Sequence, residues 1–395
     1  MLVNSLSMRL LCAVIAAVLV LCIESAQRSG VPPLPQAVWP VEQPAASGWR
    51  VDALTLTGSG HIPMPADTPA AHASSLLAMS AGQPVALTVF WFSGERESGP
   101  NVQIAASQWS RATQQWAPAR FVVNRHTLGA QLDFGVRRLG NPVAWMDGVG
   151  RIHLFVVATG AGGWAASRIV QLRQSSVGNG LAELAFEPVR VLPLSWAWNT
   201  SHLVRNAPQP LADGGMVLPV HFELGIKYPM ALRFDREGEF LGVTRISRKK
   251  YALQPTFLAQ TASDWTALMR DERPDGRVIA ARTTDGGRSW VDLPDLALLN
   301  PDSSVGGMAF GPGHMVLAHN TSAGTRAQLD LSGSVDGVTW TAIRPLARGA
   351  DADEFSYPAM AWVDGSLWVS YTVDRHHIDW QRFTPTPVSA ARGKP

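Results

Sequence analysis

A turn followed by a run of apolar residues recurs six times along the chain, at intervals of roughly 50 to 65 residues. Beyond the first fifty residues, amphipathic helical patterns are almost absent. A period of this length is typical of propeller blades of about four strands each. We therefore predict an all-β fold, a six-bladed β-propeller. The six segments are Ala81–Phe90, Asp147–Val157, Asp213–Val220, Ser263–Met269, Gly311–Leu317 and Asp364–Tyr371.

A second repeated feature is an acidic glycine turn that ends in tryptophan. Arg282–Trp290 reads RTTDGGRSW, and Ser334–Trp340 reads SVDGVTW. Asp-Gly is a strong hairpin signal, because Gly accepts positive φ and Asp hydrogen-bonds its own backbone. Ala106–Trp116 keeps a Ser and the final Trp but has lost the Asp-Gly pair. We expect each turn to join two strands of a blade, which makes Asp285 and Asp336 structural residues.

Charge and composition narrow the classes of partner. The 395 residues include 33 Lys and Arg against 31 Asp and Glu, and the basic residues are scattered. A nearly balanced, unclustered charge argues against a nucleic-acid partner. The 15 tryptophans do not decide between core packing and sugar stacking.

The N-terminus predicts export. Leu10–Ile23 is an uninterrupted apolar run preceded by Arg9, which is typical of a signal peptide and short for a membrane span. Residues 1–26 are expected to be a signal peptide or a membrane anchor, residues 27–48 a Pro-rich tether, and residues 49–390 the propeller. The protein would be periplasmic, anchored in the inner membrane or secreted. Both cysteines, Cys12 and Cys22, fall in the first segment, so no disulfide is expected in the propeller.

The turn pattern resembles the Asp-box, also called the BNR repeat, of the bacterial sialidase-like (neuraminidase) family. The resemblance extends over roughly residues 71–383, with short segments in the expected order. It implies a sialidase-type propeller that acts as an exo-α-sialidase-like glycoside hydrolase, with no cofactor and no metal. The implied partner is an acidic glycan or a sialoglycoconjugate. The segments are His72–Leu76, Gly94–Glu97, Leu139–Pro142, Leu253–Thr256, Asn300–Ser303 and Phe355–Ala359.

Four positions match the residues that the resemblance implies. Sialidases use a Tyr nucleophile activated by Glu, an Asp acid/base and three arginines that clamp the substrate carboxylate. Tyr357 stands at the nucleophile position, and Arg270 and Arg326 at the second and third clamp positions. Arg96 corresponds to an arginine beside the acid. Arginine suits the clamp because its planar fork meets both carboxylate oxygens.

Three positions depart from the family. His72 stands where the first clamp arginine is expected, Asn101 where the Asp acid/base is expected, and Gln254 where the activating Glu is expected. Each missing proton-transfer group typically contributes about 10²–10⁴-fold to the rate. His72 could replace the missing cation or shuttle a proton.

Carboxylates near the ends of blade strands could substitute for the missing groups, because loops and strand ends build the mouth of a propeller. These are Glu97, Glu223, Asp271 and Glu354. A metal site made of His319, His376 and His377 is not expected, because adjacent residues on a strand point to opposite faces.

Three functions remain open from the sequence. The first is a glycoside hydrolase acting on a terminal acidic sugar. The second is a catalytically degenerate glycan-binding propeller, favoured by the amides Asn101 and Gln254. The third is another reaction in the same fold, such as uronic-acid removal or a lyase step. Both enzyme hypotheses require Arg96, Arg270, Arg326 and Tyr357 to share one pocket. Stacking platforms for the binding hypothesis are Trp91, Trp145, Trp196 and Trp198.

Overall fold

The computed structural model describes residues 5–27, 34–39, 50–178, 180–195 and 199–386. The chain divides into two compact units, Met1–Leu34 and Pro35–Pro395. The first unit contains the helix α1 (Ser5–Gln27). Within the described ranges, no helix has both the length and the hydropathy to cross a membrane.

The second unit is built almost entirely of β-strands, with one helix, α2 (Arg125–Leu132), and two short 3₁₀ turns, Gly163–Ala166 and Leu181–Glu183. In chain order the strands are β1 (Leu54–His61), β2 (Ala70–Ala78), β3 (Val85–Gly94), β4 (Gln103–Ser110), β5 (Arg120–Val123), β6 (Arg138–Met146), β7 (Ile152–Thr159), β8 (Ser167–Gln174), β9 (Phe186–Val191), β10 (His202–Val204), β11 (Gln209–Pro210), β12 (Met216–Phe222), β13 (Tyr228–Phe234), β14 (Phe240–Arg245), β15 (Ala252–Ala259), β16 (Trp265–Asp271), β17 (Ile279–Thr283), β18 (Val291–Asp292), β19 (Gly306–Ala309), β20 (Met315–Asn320), β21 (Gln328–Ser334), β22 (Thr341–Arg348), β23 (Phe355–Val363), β24 (Ser366–Val373) and β25 (His377–Pro385).

These strands form six antiparallel sheets, the six blades of a propeller. Blades 1 to 5 are β2–β5, β6–β9, β10–β14, β15–β18 and β19–β22, and blade 6 is β23–β25 with β1 as its outer strand. The N-terminal strand β1 therefore completes the C-terminal blade, pairing from Leu54↔Pro385 to His61↔Asp379. This pairing closes the ring and gives blade 6 its fourth, outer strand.

The six repeated apolar runs become the second strand of each blade: β3, β7, β12, β16, β20 and β24. A second strand has hydrogen-bonded neighbours on both sides and packs against adjacent blades on both faces, so nearly every side chain is buried. This explains why these runs are continuously apolar rather than alternating. The predicted blade count and fold class are confirmed.

Both Asp-box turns follow the third strand of a blade. In the first, the Asp285 carboxylate accepts hydrogen bonds from the backbone N–H of Ser289 (2.9 Å), from its hydroxyl (2.6 Å) and from the hydroxyl of Thr283 (2.7 Å). The Trp290 ring stacks on Phe257 at a centroid distance of 5.6 Å. The second turn repeats the arrangement around Asp336. Both aspartates are thus structural, as predicted.

The two ends of the propeller differ. We call the end at which the inner strands β2, β15 and β23 begin the upper face, and the opposite end the lower face. Third strands run parallel to inner strands in a meander, so the Asp-box turns that follow β17 and β21 lie on the lower face.

Part of the segment expected to be a spacer is packed on the propeller. Ala37 N–H donates to the carbonyl of Ala262 (2.7 Å), and Val38 N–H donates to that of Pro210 (3.1 Å). The indole of Trp39 donates to the carbonyl of Ala259 (2.8 Å). Residues 35–39 therefore lie across blades 3 and 4, near the lower face, instead of forming a free extended tether.

Candidate functional site

Three residues of the candidate site lie at bulges where inner strands begin. The pairing of β2 shifts register between His72 and Ser75, that of β15 between Leu253 and Thr256, and that of β23 between Ser356 and Ala359. A bulge re-aims side chains, and bulges are common next to active sites. Here the bulges lie at the upper end of the channel that the inner strands enclose.

Gln254 and Tyr357 occupy strained backbone at these bulges. Their φ values are 50° and 54°, in the left-handed region that non-glycine residues rarely adopt. Each precedes a proline, which normally restricts the preceding residue to extended backbone. Strain of this kind, about 1–3 kcal/mol per residue, concentrates at functional sites.

The Tyr357 hydroxyl is held by two donors. Gln254 Nε2 lies 3.1 Å from it and Arg270 Nη1 lies 3.3 Å from it. Arg270 Nη1 also donates to Gln254 Oε1 at 3.3 Å, which fixes the amide orientation. The residue at the activating position therefore contacts the tyrosine, but as an amide.

Arg326 joins this group through Asp302 and Glu354. Asp302 Oδ1 accepts from Arg270 Nε (2.7 Å), while the Asp302 carbonyl accepts from Arg326 Nη2 (2.5 Å). Arg326 Nη1 donates to Glu354 Oε1 at 2.9 Å. The two predicted clamp arginines and Tyr357 therefore share one connected network.

Arg375 is a third arginine of this network, and the sequence analysis missed it. Its Nε donates to Glu354 Oε2 (3.0 Å), and its Nη1 pairs with Glu97. Its carbonyl accepts the N–H of Ala71, next to His72, at 2.9 Å. Arg375 thus lies beside the strand on which the first clamp arginine was expected. Arg375 lies just after β24, far along the chain from β2. Matching the sequence of β2 to the family therefore could not identify it.

Glu354 is the anion between Arg326 and Arg375. Burial alone would raise its pKa, but the Ser356 hydroxyl, Arg326 and Arg375 outweigh burial and lower the pKa to about 2. The carboxylate is therefore ionised at neutral pH and orients both guanidinium groups.

His72 is not the replacement cation. It is 2% exposed, and burial lowers the pKa of His72 well below its usual value, so its imidazole is neutral at neutral pH. Its ring lies 4.1 Å from that of Tyr357 and 5.5 Å from that of Phe92. His72 therefore packs against the tyrosine and adds no charge.

A buried arginine lies beneath the site. Arg205, from blade 3, is 2% exposed, and its guanidinium is 5.0 Å from the centre of the Tyr357 ring. It donates to the carbonyls of Ser74 (3.2 Å) and Pro358 (3.0 Å), which belong to blades 1 and 6. Burial lowers the pKa of Arg205 to about 10, so it keeps its charge at neutral pH. Arg205 directly follows the short strand β10, and no local sequence pattern marked it as part of the site.

Arg205 also separates the upper site from a cavity of about 190 Å³ that the inner strands of all six blades line. Trp145 lines this lower cavity, and Trp91 is fully buried. Neither tryptophan lies at the mouth as a stacking platform. Trp196 and Trp198 lie outside the described residues.

Only part of the loop after β3 contacts the site. Glu97 pairs with Arg375. Asn101 donates instead to Glu95 at 2.8 Å, and both are exposed. The Arg96 side chain is exposed, and among the described residues it forms no ion pair. The pocket shared by Arg270, Arg326 and Tyr357 therefore does not include a contact from Arg96, so the condition set for the enzyme hypotheses is met by three of the four residues.

The two remaining acidic candidates differ. Glu223 accepts a hydrogen bond at 3.2 Å from His221 and contributes to the electrostatic environment of Arg270. Asp271 is fully buried and binds Arg273 through both carboxylate oxygens (2.9 Å each). Successive strand residues point to opposite faces, so Asp271 faces away from the side on which Arg270 meets Tyr357.

The sequence analysis did not expect His319, His376 and His377 to form a metal site, and His319 lies in a different blade from the other two. His319 lies in blade 5 and contacts the Ser332 hydroxyl at 2.9 Å, whereas His377 begins β25 in blade 6. No group of possible metal ligands in the described part of the chain contains His319.

The fold and this arginine–tyrosine site together define a sialidase-like six-bladed propeller. A family model described as the BNR repeat-like domain matches residues 85–373, and the chain belongs to that family. A comparison with curated proteins found no match.

Several solved structures share the fold. The Trypanosoma rangeli sialidase superposes with a TM-score of 0.64 at 13% identity, covering 83% of this chain and 60% of the sialidase. A protein of unknown function from Dyadobacter fermentans gives 0.64 at 12% identity, covering 85% of this chain and 100% of that one. The intramolecular trans-sialidase of Ruminococcus gnavus, solved with oseltamivir carboxylate, gives 0.57 at 10% identity, covering 88% and 99%. This chain therefore spans about 60% of the length of the trypanosomal enzyme.

Proposed function

We propose that this protein is an exported, sialidase-like glycoside hydrolase that acts on the terminal acidic sugar of a glycan. The observation that carries the proposal is the convergence of Arg270, Arg326 and Tyr357 from three blades at the upper end of the channel. The trypanosomal relative of this fold has been solved in complex with sialic acid, which suggests the same class of ligand.

The arginines supply the carboxylate site. A carboxylate binds best to guanidinium groups that are already oriented, since less side-chain freedom is lost on binding. Asp302 and Glu354 hold Arg270, Arg326 and Arg375 in place. In this proposal Arg375 takes the part of the first clamp arginine.

Tyr357 is proposed as the nucleophile. Its oxygen would attack the anomeric carbon while its proton passes to a water molecule, and the bond to the leaving sugar would break; a second water would then hydrolyse the glycosyl–tyrosine bond. The amide of Gln254 cannot accept the phenolic proton, but Gln254 Nε2 and Arg270 Nη1 both point at the oxygen and would stabilise charge that develops there. Glu97 is the carboxylate of the loop after β3 that the structure joins to this cluster, and it is our candidate for protonating the leaving group.

A second function follows from the same amide. Gln254 keeps the hydrogen bond to Tyr357 while removing the base, as expected in a propeller that binds an acidic glycan without cleaving it. The two proposals share the arginine site and differ only in turnover.

The deciding experiment compares cleavage with binding. The purified protein is assayed on a fluorogenic sialoside and on a panel of uronic-acid and neutral glycosides, with Tyr357→Phe as the test variant. Tyr251→Phe, at an exposed tyrosine that makes none of the contacts described for this site, is the matched control. Turnover of one acidic glycoside that is lost only in Tyr357→Phe supports the hydrolase. Saturable binding of an acidic glycan without turnover supports the binding protein, and the absence of both contradicts both proposals.

Export is proposed on separate grounds, the apolar run Leu10–Ile23. Fractionation of cells that express the full chain, followed by mass spectrometry of its N-terminus, distinguishes a cleaved signal from a retained anchor. Recovery of the uncleaved protein in the cytosol would contradict export.

A further inference from the structure

A group of possible metal ligands lies on the two outer strands of blade 6, apart from the arginine–tyrosine site. His61 is the last residue of β1 and lies directly opposite Asp379 of β25. His377 precedes Asp379 by two residues on β25, so both side chains project from the same face of the strand. The pairing of β1 with β25 therefore brings three side chains together from distant parts of the chain.

The three side chains already converge. His61 Nδ1 contacts Asp379 Oδ1, and His377 Nε2 lies 3.3 Å from the same oxygen. The imidazole rings are 4.8 Å apart and nearly perpendicular. All three potential ligand atoms lie within 4.8 Å of one another.

We propose that His61, His377 and Asp379 bind a divalent first-row transition-metal ion, with zinc as the reference ion. Two imidazole nitrogens and one carboxylate oxygen favour zinc, nickel, copper or cobalt over calcium and magnesium, which prefer all-oxygen sites. Metal–ligand bonds of about 2.0–2.2 Å place neighbouring ligand atoms roughly 3–3.5 Å apart, close to the observed His377–Asp379 separation.

The exposure of the group suits an ion taken up from solution. The side chains of His61, His377 and Asp379 are 70%, 35% and 22% exposed. Three protein ligands leave at least one coordination position for water, and the ion can enter without unfolding the blade.

The location gives the ion a structural role. Among the described strands β1 pairs with β25 alone, and this pairing completes the last blade. An ion held by one ligand from β1 and two from β25 would link the strands that close the ring. Because it binds the folded pairing and not the separated strands, it would stabilise the closed propeller.

The test measures metal binding directly on the full-length protein, stripped with chelator and desalted. Zinc is titrated calorimetrically, and cobalt is added separately to record the visible absorption of a coordinated ion. We expect one equivalent to bind. His61→Ala and His377→Ala should each weaken binding by more than the roughly 10–100-fold typical of losing an outer-shell partner. His126→Ala, an exposed histidine on α2, is the matched control and should bind as the parent does.

A second readout separates binding from misfolding. Zinc should raise the melting temperature of the parent and of His126→Ala, but not that of a folded His61→Gln protein. The proposal is overturned if the parent shows no saturable binding, since Asp379 then only bridges two histidines. It is equally overturned if zinc binds the His61 and His377 variants as tightly as the parent.

Discussion

Tyr357 has two hydrogen-bond donors at its hydroxyl and, within the described part of the chain, no carboxylate in contact with it; this is the main residue-level departure from the pattern that the resemblance implies. Gln254 occupies the position of the base with the geometry that a base would need, 3.1 Å from the phenolic oxygen. The change from carboxylate to amide removes proton transfer while leaving the network intact.

Restoring the carboxylate tests this directly. Gln254→Glu is expected to increase turnover of an acidic glycoside by about 10²-fold or more, since general-base catalysis typically contributes 10²–10⁴-fold. The kinetic constants kcat and KM are measured for both proteins. Gln260→Glu, which adds the same charge near the lower face of the same blade, is the control and should leave turnover unchanged. Unchanged turnover in Gln254→Glu, with sugar binding retained, would contradict the role of position 254.

A second prediction at the residue scale concerns Arg375. Arg375→Ala should weaken binding of an acidic sugar by roughly 10–100-fold, because a hydrogen bond to a charged group contributes about 1.5–3 kcal/mol. A neutral analogue of the sugar, with a hydroxymethyl group in place of the carboxylate, should bind weakly, and its affinity should be the same for the parent and for Arg375→Ala. Calorimetry or ligand-detected NMR gives both affinities.

The matched control for Arg375 is Arg282→Ala, which breaks an ion pair with Asp264 near the lower face. If both arginine variants bind the acidic sugar as the parent does, Arg375 is not part of the clamp.

At the scale of structural elements, the turns that stabilise the blades and the residues of the candidate site lie at opposite ends of the sheets. The two Asp-box turns are fixed by their own side chains, as in the hydrogen bonds that Asp285 accepts from Thr283 and Ser289. The inner-strand bulges lie at the other end of the sheets and position Gln254 and Tyr357. Changes at one end should therefore leave the other end in place.

Asp285→Ala is expected to lower the free energy of unfolding by about 1–3 kcal/mol, because backbone and hydroxyl donors lose their acceptor. Affinity for the acidic sugar should not change, since Asp285 lies on the lower face. Urea denaturation and a binding titration measure the two effects. Asp275→Ala, in an exposed turn of the same blade, should leave both quantities within about 0.5 kcal/mol of the parent. A loss of binding in a folded Asp285→Ala protein would show that the two ends are coupled.

At the scale of the whole molecule, the ring depends on one strand that comes from the other end of the propeller sequence. β1 pairs along its own whole length with the edge of β25, from Leu54↔Pro385 to His61↔Asp379. Without it, blade 6 would have three strands and an unpaired edge, which is a template for aggregation.

Deleting residues 1–62 should therefore abolish cooperative folding or produce aggregates, whereas deleting residues 1–33 should leave a folded propeller. Size-exclusion chromatography and thermal unfolding distinguish the two outcomes. A monomeric, cooperatively unfolding protein without residues 1–62 would show that ring closure contributes little to stability.

The sequence alone determined the blade count, the all-β class and the Asp-box turns. Each depends on a signal carried within a few neighbouring residues: a continuous apolar second strand, or an aspartate that caps its own turn. The resemblance added Tyr357, Gln254 and Arg270, because each lies in a short motif near the beginning or the end of a strand. In the structure, Gln254 and Arg270 both donate to the Tyr357 hydroxyl.

Only the tertiary structure decided which distant residues meet. Arg205 crosses from blade 3 to blades 1 and 6, Arg375 reaches the site from the end of β24, and His61 meets Asp379 through ring closure. It also decided that His72 is a neutral packing residue and that Asp271 binds Arg273. Charge, burial and partner choice at these positions depend on how six sheets pack around one axis, and no local sequence pattern encodes that arrangement.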